Sequence, residues 1–171
     1  AIPSRIALAG AEFELIDMEK RELILKNALA EISDDYDYIF IDCPPSLGIL
    51  SINALAASSG VIIPMQCEFY SLEGLSQLML SIRNVKRLYN PGLEITGILI
   101  TMYNGRLNLS AQVLEEIKKY YADKLFATGI VRNVKLSEAP SYGEPIIYYD
   151  KYSKGARAYN DVAKEILERT L

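Results

Sequence analysis

Histidine is absent from this chain, and that gap removes a large part of side-chain chemistry. Without an imidazole there is no Ser-His-Asp or Cys-His nucleophile pair, no His-based acid or base, and little room for zinc. Cysteine is scarce: Cys43 and Cys67 are the only two, too few for a disulfide framework or a zinc site. Both flank apolar runs, the setting of buried reduced thiols in a cytosolic protein. No stretch of about 18 apolar residues occurs, so no transmembrane helix is expected. The opening stretch AIPSRIALAG lacks both an initiator Met and the charged-then-apolar layout of a signal peptide; it reads as the start of a fragment. The chemistry left to the chain runs on carboxylates, amines, backbone amides or a hard metal ion.

What is present is enough for a core. Half of the 171 residues are apolar and 23% are charged, which fits a single domain over residues 1–171. The net charge of −4 is unevenly spread: residues 1–80 carry −8 and residues 81–171 carry +4. Such asymmetry points one surface towards an anionic partner, although solvated helix faces also explain it.

Periodicity organises the chain. RELILKNALAEI (21–32) has helical spacing, YDYIFID (36–42) reads as a short buried strand, and residues 46–58 as a helix with Ser46 at its N-cap. GVIIPM (60–65) is a second strand. A long amphipathic helix follows over 71–90, marked at its start by Ser71, Glu73 and Gly74 and ended by Pro91-Gly92. EITGILIT (94–101) is a third strand, 108–125 a helix, TGIV (128–131) a fourth strand, 132–153 irregular, and 155–171 a closing amphipathic helix. Strands and helices alternate and the strands are almost continuously apolar. That is the pattern of a doubly wound, mostly parallel α/β sheet with helices on both faces.

Ligands of such sheets bind beyond the carboxyl ends of the strands. In IFIDCPPSL (39–47), Asp42 is delivered to that edge by its own strand. A carboxylate there can hold Mg²⁺ through a water, as in P-loop nucleotidases; the plain alternative is an Asp capping the next helix. Pro44 and Pro45 cannot donate to a ladder, so they stop the strand and stiffen the loop that follows. Phe69 and Tyr70, in the EFY run after the second strand, fit core or interface aromatics better than a stacking platform.

Four blocks in order, YDYIFIDCPPSLGILSINAL, IPMQCEFYSLEGLSQL, ILITMYNGRLNLSAQV and VRNVKLSEAPSYGEPIIYYDKYSKGARAY, resemble ParA/Soj-type chromosome- and plasmid-partitioning ATPases of the deviant Walker family. The resemblance runs from about Ile2 to Arg169. It implies a P-loop NTPase fold, ATP and Mg²⁺ as cofactors, and Asp42 as the magnesium-linked acid of the Walker B and switch II element, with Pro44 and Pro45 beside it. It places the adenine base near Met102–Asn104 and Val131–Asn133, that is Met102, Asn104, Val131 and Asn133, and non-specific DNA on Arg106, Arg132 and Lys135. Many relatives carry a proline where this chain has Val131. Residues 131–157 hold five basic and three acidic side chains, enough to meet phosphates without reading bases. The partners implied are DNA, a ParB-type centromere-binding protein and a second copy of the chain when ATP is bound; the setting implied is the cytoplasm, on the nucleoid, with no membrane.

One departure stands out. No G-K-[ST] tripeptide occurs in the chain, so the Walker A loop of the family is missing, and the resemblance is to the C-terminal two thirds of such an ATPase. ATP hydrolysis is accordingly expected of the intact protein and not of this chain alone. Two other readings stay open: a membrane-positioned relative of the MinD type, which the mixed-charge ending AKEILERTL disfavours, and a non-catalytic, protein-binding remnant of a nucleotidase.

Overall fold

A computed structural model describes residues 3–44 and 46–170; Pro45 lies outside them. The elements include helices α1 (Ala11–Glu14), α2 (Ile24–Ala30) and α3 (Ile49–Ala57), strand β1 (Gly60–Gln66), helix α4 (Phe69–Leu88) and strand β2 (Glu94–Thr101). Helices α5 (Asn108–Tyr121), α6 (Val134–Glu138), α7 (Ile146–Tyr149) and α8 (Lys154–Thr170) follow. The class is α/β with a parallel sheet, β1 pairing with β2. The chain divides into two compact units, Ala1–Gly60 with Gln77–Glu94 and Val61–Ser76 with Ile95–Leu171. Among the described residues no helix is long and apolar enough to cross a membrane.

In the first unit, α2 packs on α3 around a polar bolt. Asn53 is buried, yet every arm of its amide is used: Oδ1 accepts from Leu25 N–H at 3.0 Å, and Nδ2 donates to the carbonyls of Arg21 at 2.8 Å and Ile49 at 3.0 Å. A buried amide left unpaired would be costly, so this satisfaction fixes the register of the two helices. Asn90 plays the same part after α4, its Nδ2 donating to the carbonyls of Leu55 and Ser58.

The second unit is built on β2. Its residues Ile98, Leu99 and Ile100 are buried, and Leu99 joins Phe126, Ile130 and Val162 in one apolar cluster, with Ile166 of α8 packed against it. Gly97 permits this: a Cβ there would lie 2.4 Å from Cε2 of Phe126. Alongside β2 runs the segment from Lys124 to Val131. Ile98 N–H donates to Lys124 O, Phe126 N–H to Ile98 O, Ile130 N–H to Ile100 O and Tyr103 N–H to Ile130 O. The ladder is parallel at Ile98–Leu125 and at Tyr103–Val131.

Helix α8 locks this segment. Glu165 accepts the N–H groups of Ala127 and Thr128, both at 2.8 Å. Arg169 donates to the carbonyls of Thr96, Lys124 and Leu125 and stacks on the Phe126 ring at 4.3 Å.

Several expectations are corrected. YDYIFID is not a strand: residues 36–42 form no ladder, and Phe40 is 72% exposed. A strand needs a ladder neighbour for its backbone groups, and among the described residues no ladder forms along this run. Cys43, expected buried, is therefore exposed, whereas Cys67 is buried. Helix α3 begins at Ile49 with Gly48 at its N-cap; Ser46 instead offers its carbonyl to the Ser51 hydroxyl at 2.5 Å. Helix α4 starts two residues before Ser71. Residues 128–131 form no continuous strand; the one isolated bridge among them is Tyr103–Val131. The segment 132–153 is not irregular throughout but folds into α6, a 3-10 turn (Ala139–Tyr142) and α7.

Burial alone would raise the Glu165 carboxyl, but hydrogen bonds from the Thr128 side chain and from the Ala127 and Thr128 amides, with the Arg169 charge, hold it below the ordinary carboxylate value. A carboxyl depressed in the folded state contributes stability that is present above its unfolded value of about 4.3 and lost as pH falls through the folded value. Glu165→Gln should thus melt lower than the parent at pH 6, with the difference shrinking as pH drops below about 4. A difference in melting temperature that is constant from pH 6 to pH 3 would contradict this role.

Candidate functional site

Three loops leave the strand ends of the second unit. Cys67 and Glu68 link β1 to α4, Met102–Leu107 link β2 to α5, and Val131–Asn133 lead into α6. The Tyr103–Ile130 bond, at 3.1 Å, and the Tyr103–Val131 bridge set the second and third loops side by side. Between the strand ends and the first turn of α5 lies a cavity of about 420 Å³, within the size range of small-molecule sites. The first loop contributes Gln66, Cys67 and Glu68, and the start of α4 contributes Phe69 and Tyr70. Met102, Asn104 and Leu107 come from the second loop, Leu109 and Ser110 from α5, and Arg132 from the third.

Met102 sits in the left-handed region, φ 51°, a conformation that costs a non-glycine residue on the order of 1–2 kcal/mol. Strain of this kind survives where the surroundings dictate it; here the next residue is committed to the Ile130 ladder bond. Arg132 reaches Met102 with Nη2 3.9 Å from Sδ. Asn104 accepts the Arg106 N–H at 3.1 Å on its side-chain oxygen, closing an Asx turn, so its Nδ2 remains to donate. Burial raises the Cys67 thiol above its ordinary value, which keeps it protonated and a poor nucleophile at neutral pH.

The structure therefore brings together Met102, Asn104 and Arg132, with Val131 and Asn133 in the adjoining loop. Val131 is 38% exposed. Asn133 is the N-cap of α6, its oxygen accepting the Lys135 N–H at 2.8 Å, so only its amide NH₂ is left for a ligand. Arg132, expected with the DNA contacts, lines the cavity. Arg106 is exposed, and its guanidinium has no hydrogen bond or ion pair among the described residues. Lys135 is paired with Glu138 at 2.8 Å. Asp42 and Pro44 belong to the first unit and are exposed, outside any helix or strand; Pro45 lies outside the described residues.

The reading of the sequence missed Gln66, Glu68, Leu107, Leu109 and Ser110, and Phe69 and Tyr70 are not core: they are 68% and 81% exposed, their rings edge to face at 5.6 Å. The rule that sites lie beyond strand ends, applied to GVIIPM as it was to IFID, points to the residues after Met65.

Relatives now bear on these loops. A family model described as an AAA domain matches residues 1–95. The chain is 58% identical over 165 residues to the sporulation initiation inhibitor protein Soj of Bacillus subtilis (strain 168), covering 96% of this chain and 65% of that protein. It is 52% identical to the chromosome-partitioning ATPase Soj of Treponema pallidum (strain Nichols), covering 99% of this chain and 67% of that one. This chain belongs to the ParA/Soj family. Its fold is of the P-loop NTPase type. Cobyrinic acid a,c-diamide synthase from Mycobacterium smegmatis, solved with bound ADP and magnesium, superposes with a TM-score of 0.79 at 37% identity, over 97% of this chain and 60% of that one. The chain thus spans about two thirds of the length of the curated relatives it matches.

The residues in hand fit a nucleotide unevenly. The cavity offers apolar surface from Met102, Leu107 and Leu109 beside the amide of Asn104 and the hydroxyl of Ser110, a donor set suited to a planar base. The phosphate end is different. Among the described residues no group of three or more His, Cys, Asp or Glu side chains could hold a metal, and no lysine of a G-K-[ST] loop is present. No hydrolytic step follows from these residues.

Proposed function

We propose that the full-length protein is a DNA-segregation ATPase, an ATP-switched dimer that binds DNA without sequence preference and works with a ParB-type centromere-binding protein on the nucleoid in the cytoplasm. The observation that carries this reading is the 58% identity to Soj over 96% of the chain, which spans all three loops of the site. In this reading Met102, Asn104, Val131 and Asn133 surround the adenine base, with the Asn104 and Asn133 amides donating to ring nitrogens. The exposed carboxylate of Asp42 holds Mg²⁺ through water, with Pro44 and Pro45 stiffening the segment that senses the phosphates. When bound, the metal supplies charge stabilisation at the phosphates.

Arg106, Arg132 and Lys135 are the DNA contacts. Long cationic side chains on exposed loops neutralise phosphates and release counterions; they do not read base edges. Arg106 is open for this at once, whereas Arg132 divides its role between the cavity and the surface.

Two outcomes test the reading on the full-length protein. Asp42→Ala should abolish the magnesium dependence of nucleotide affinity; an unchanged dependence would remove Asp42 from the site. With ATP bound, Arg106→Ala and Lys135→Ala should each weaken binding to two unrelated duplexes by similar factors. Each should also flatten the slope of log affinity against log salt by about one per chain. Parent-like slopes in both variants, with dimerisation intact, would contradict a DNA-contact role.

A further inference from the structure

We propose that Glu138 is a positioning residue that sets DNA affinity by competing with phosphate for Lys135. The inference rests on the reading of Lys135 as a phosphate contact. Lys135 and Glu138 lie three residues apart on α6, with Nζ 2.8 Å from Oε2. The chain holds other surface pairs at this spacing, Lys118–Glu115, Lys119–Glu116 and Lys164–Asp161. Exposed pairs of that kind contribute little and rearrange freely.

The Lys135 pair is built differently. The same Oε2 accepts a second hydrogen bond from the Tyr149 hydroxyl at 2.9 Å. The Tyr149 ring lies 5.6 Å from Nζ, within cation–π range. That ring is itself stacked on Tyr142, with centroids 5.1 Å apart and planes at 29°. The backbone of Lys135 is fixed too, because its N–H donates to the Asn133 side chain. The carboxylate is thus held in place by a phenol from α7, and the ammonium has a partner on two sides. Of the exposed candidates for phosphate contact, Arg106 is open while Lys135 is held.

The physical consequence is a competition. A phosphate that approaches Lys135 must displace Glu138, and Glu138 then keeps only the Tyr149 hydroxyl. Removing the carboxylate charge while keeping its shape should free the ammonium. Tyr149→Phe keeps the ring and removes the hydroxyl, so it should loosen the pair without abolishing it.

The test is a double-mutant cycle on full-length, ATP-bound protein, with affinity for a random-sequence duplex measured across salt concentrations. Glu138→Gln should tighten binding by about two- to fivefold per chain. Tyr149→Phe should shift affinity the same way by a smaller factor. On the Lys135→Ala background, Glu138→Gln should do nothing, because its effect runs through Lys135. A full-sized gain on that background would mean simple repulsion between Glu138 and DNA and would overturn the proposal. So would an unchanged affinity in Glu138→Gln beside a Lys135→Ala variant that binds weakly, which leaves the DNA reading standing. If Lys135→Ala binds like the parent while Arg106→Ala does not, Lys135 is no contact and the proposal fails with that part of the reading. A melting curve like the parent's shows that Glu138→Gln is folded.

Discussion

The backbone of β2 hydrogen-bonds along the segment Lys124–Val131, and the rest of the candidate site depends on those few bonds. They run from Ile98 to Tyr103, and where they end two loops that are far apart in sequence lie next to each other. Met102 is carried into a left-handed conformation at that point, and Arg132 reaches back to its sulfur. The segment is short and its bridges are isolated, so its own ladder does not fix it alone. Helix α8 does that from outside: Glu165 satisfies two of its amides and Arg169 two of its carbonyls. An amphipathic closing helix thereby becomes a support for the loops of the candidate site.

The polar side chains near the site show a division of labour. Asn104 and Asn133 each use their oxygen to shape the local backbone and keep an amide NH₂ for a ligand. A side chain that builds a turn is also oriented by it, which lowers the entropy lost when a ligand binds. The cationic residues divide in a similar way. Arg106 is free, Arg132 faces the cavity, and Lys135 is held by Glu138 and Tyr149. The +4 balance of residues 81–171 therefore overstates what is available to an anionic partner at any moment.

Much of this was legible in the residues. The apolar runs GVIIPM and EITGILIT and the amphipathic stretches of α4, α5 and α8 are long and regular, and they appear as read, within a few residues at the ends. The misses have physical causes. YDYIFID has the composition of a strand, but composition cannot supply a ladder partner. Segment 132–153 hides three short helical turns behind Pro, Gly and Tyr, because Asn133 and Pro145 start turns that carry too few apolar residues to show a period. For the candidate site, the resemblance names Met102, Asn104, Val131 and Asn133, and the structure sets their loops side by side. The residues that follow β1 were overlooked because Phe69 and Tyr70 look like core. Their exposure depends on tertiary context that no local pattern encodes. Nor does sequence show that Lys135 is held by a tyrosine fourteen positions away.

The central claim is that the loop after β2 and the loop before α6, paired through Tyr103 and Ile130, take the base of ATP beside the loop after β1. Photolabelling of the full-length protein with 8-azido-ATP and magnesium, followed by peptide mapping, tests it most directly. The account predicts cross-links within residues 66–70, 102–110 or 131–133, suppressed by excess ATP. ATP-protected labelling confined to other segments would contradict it.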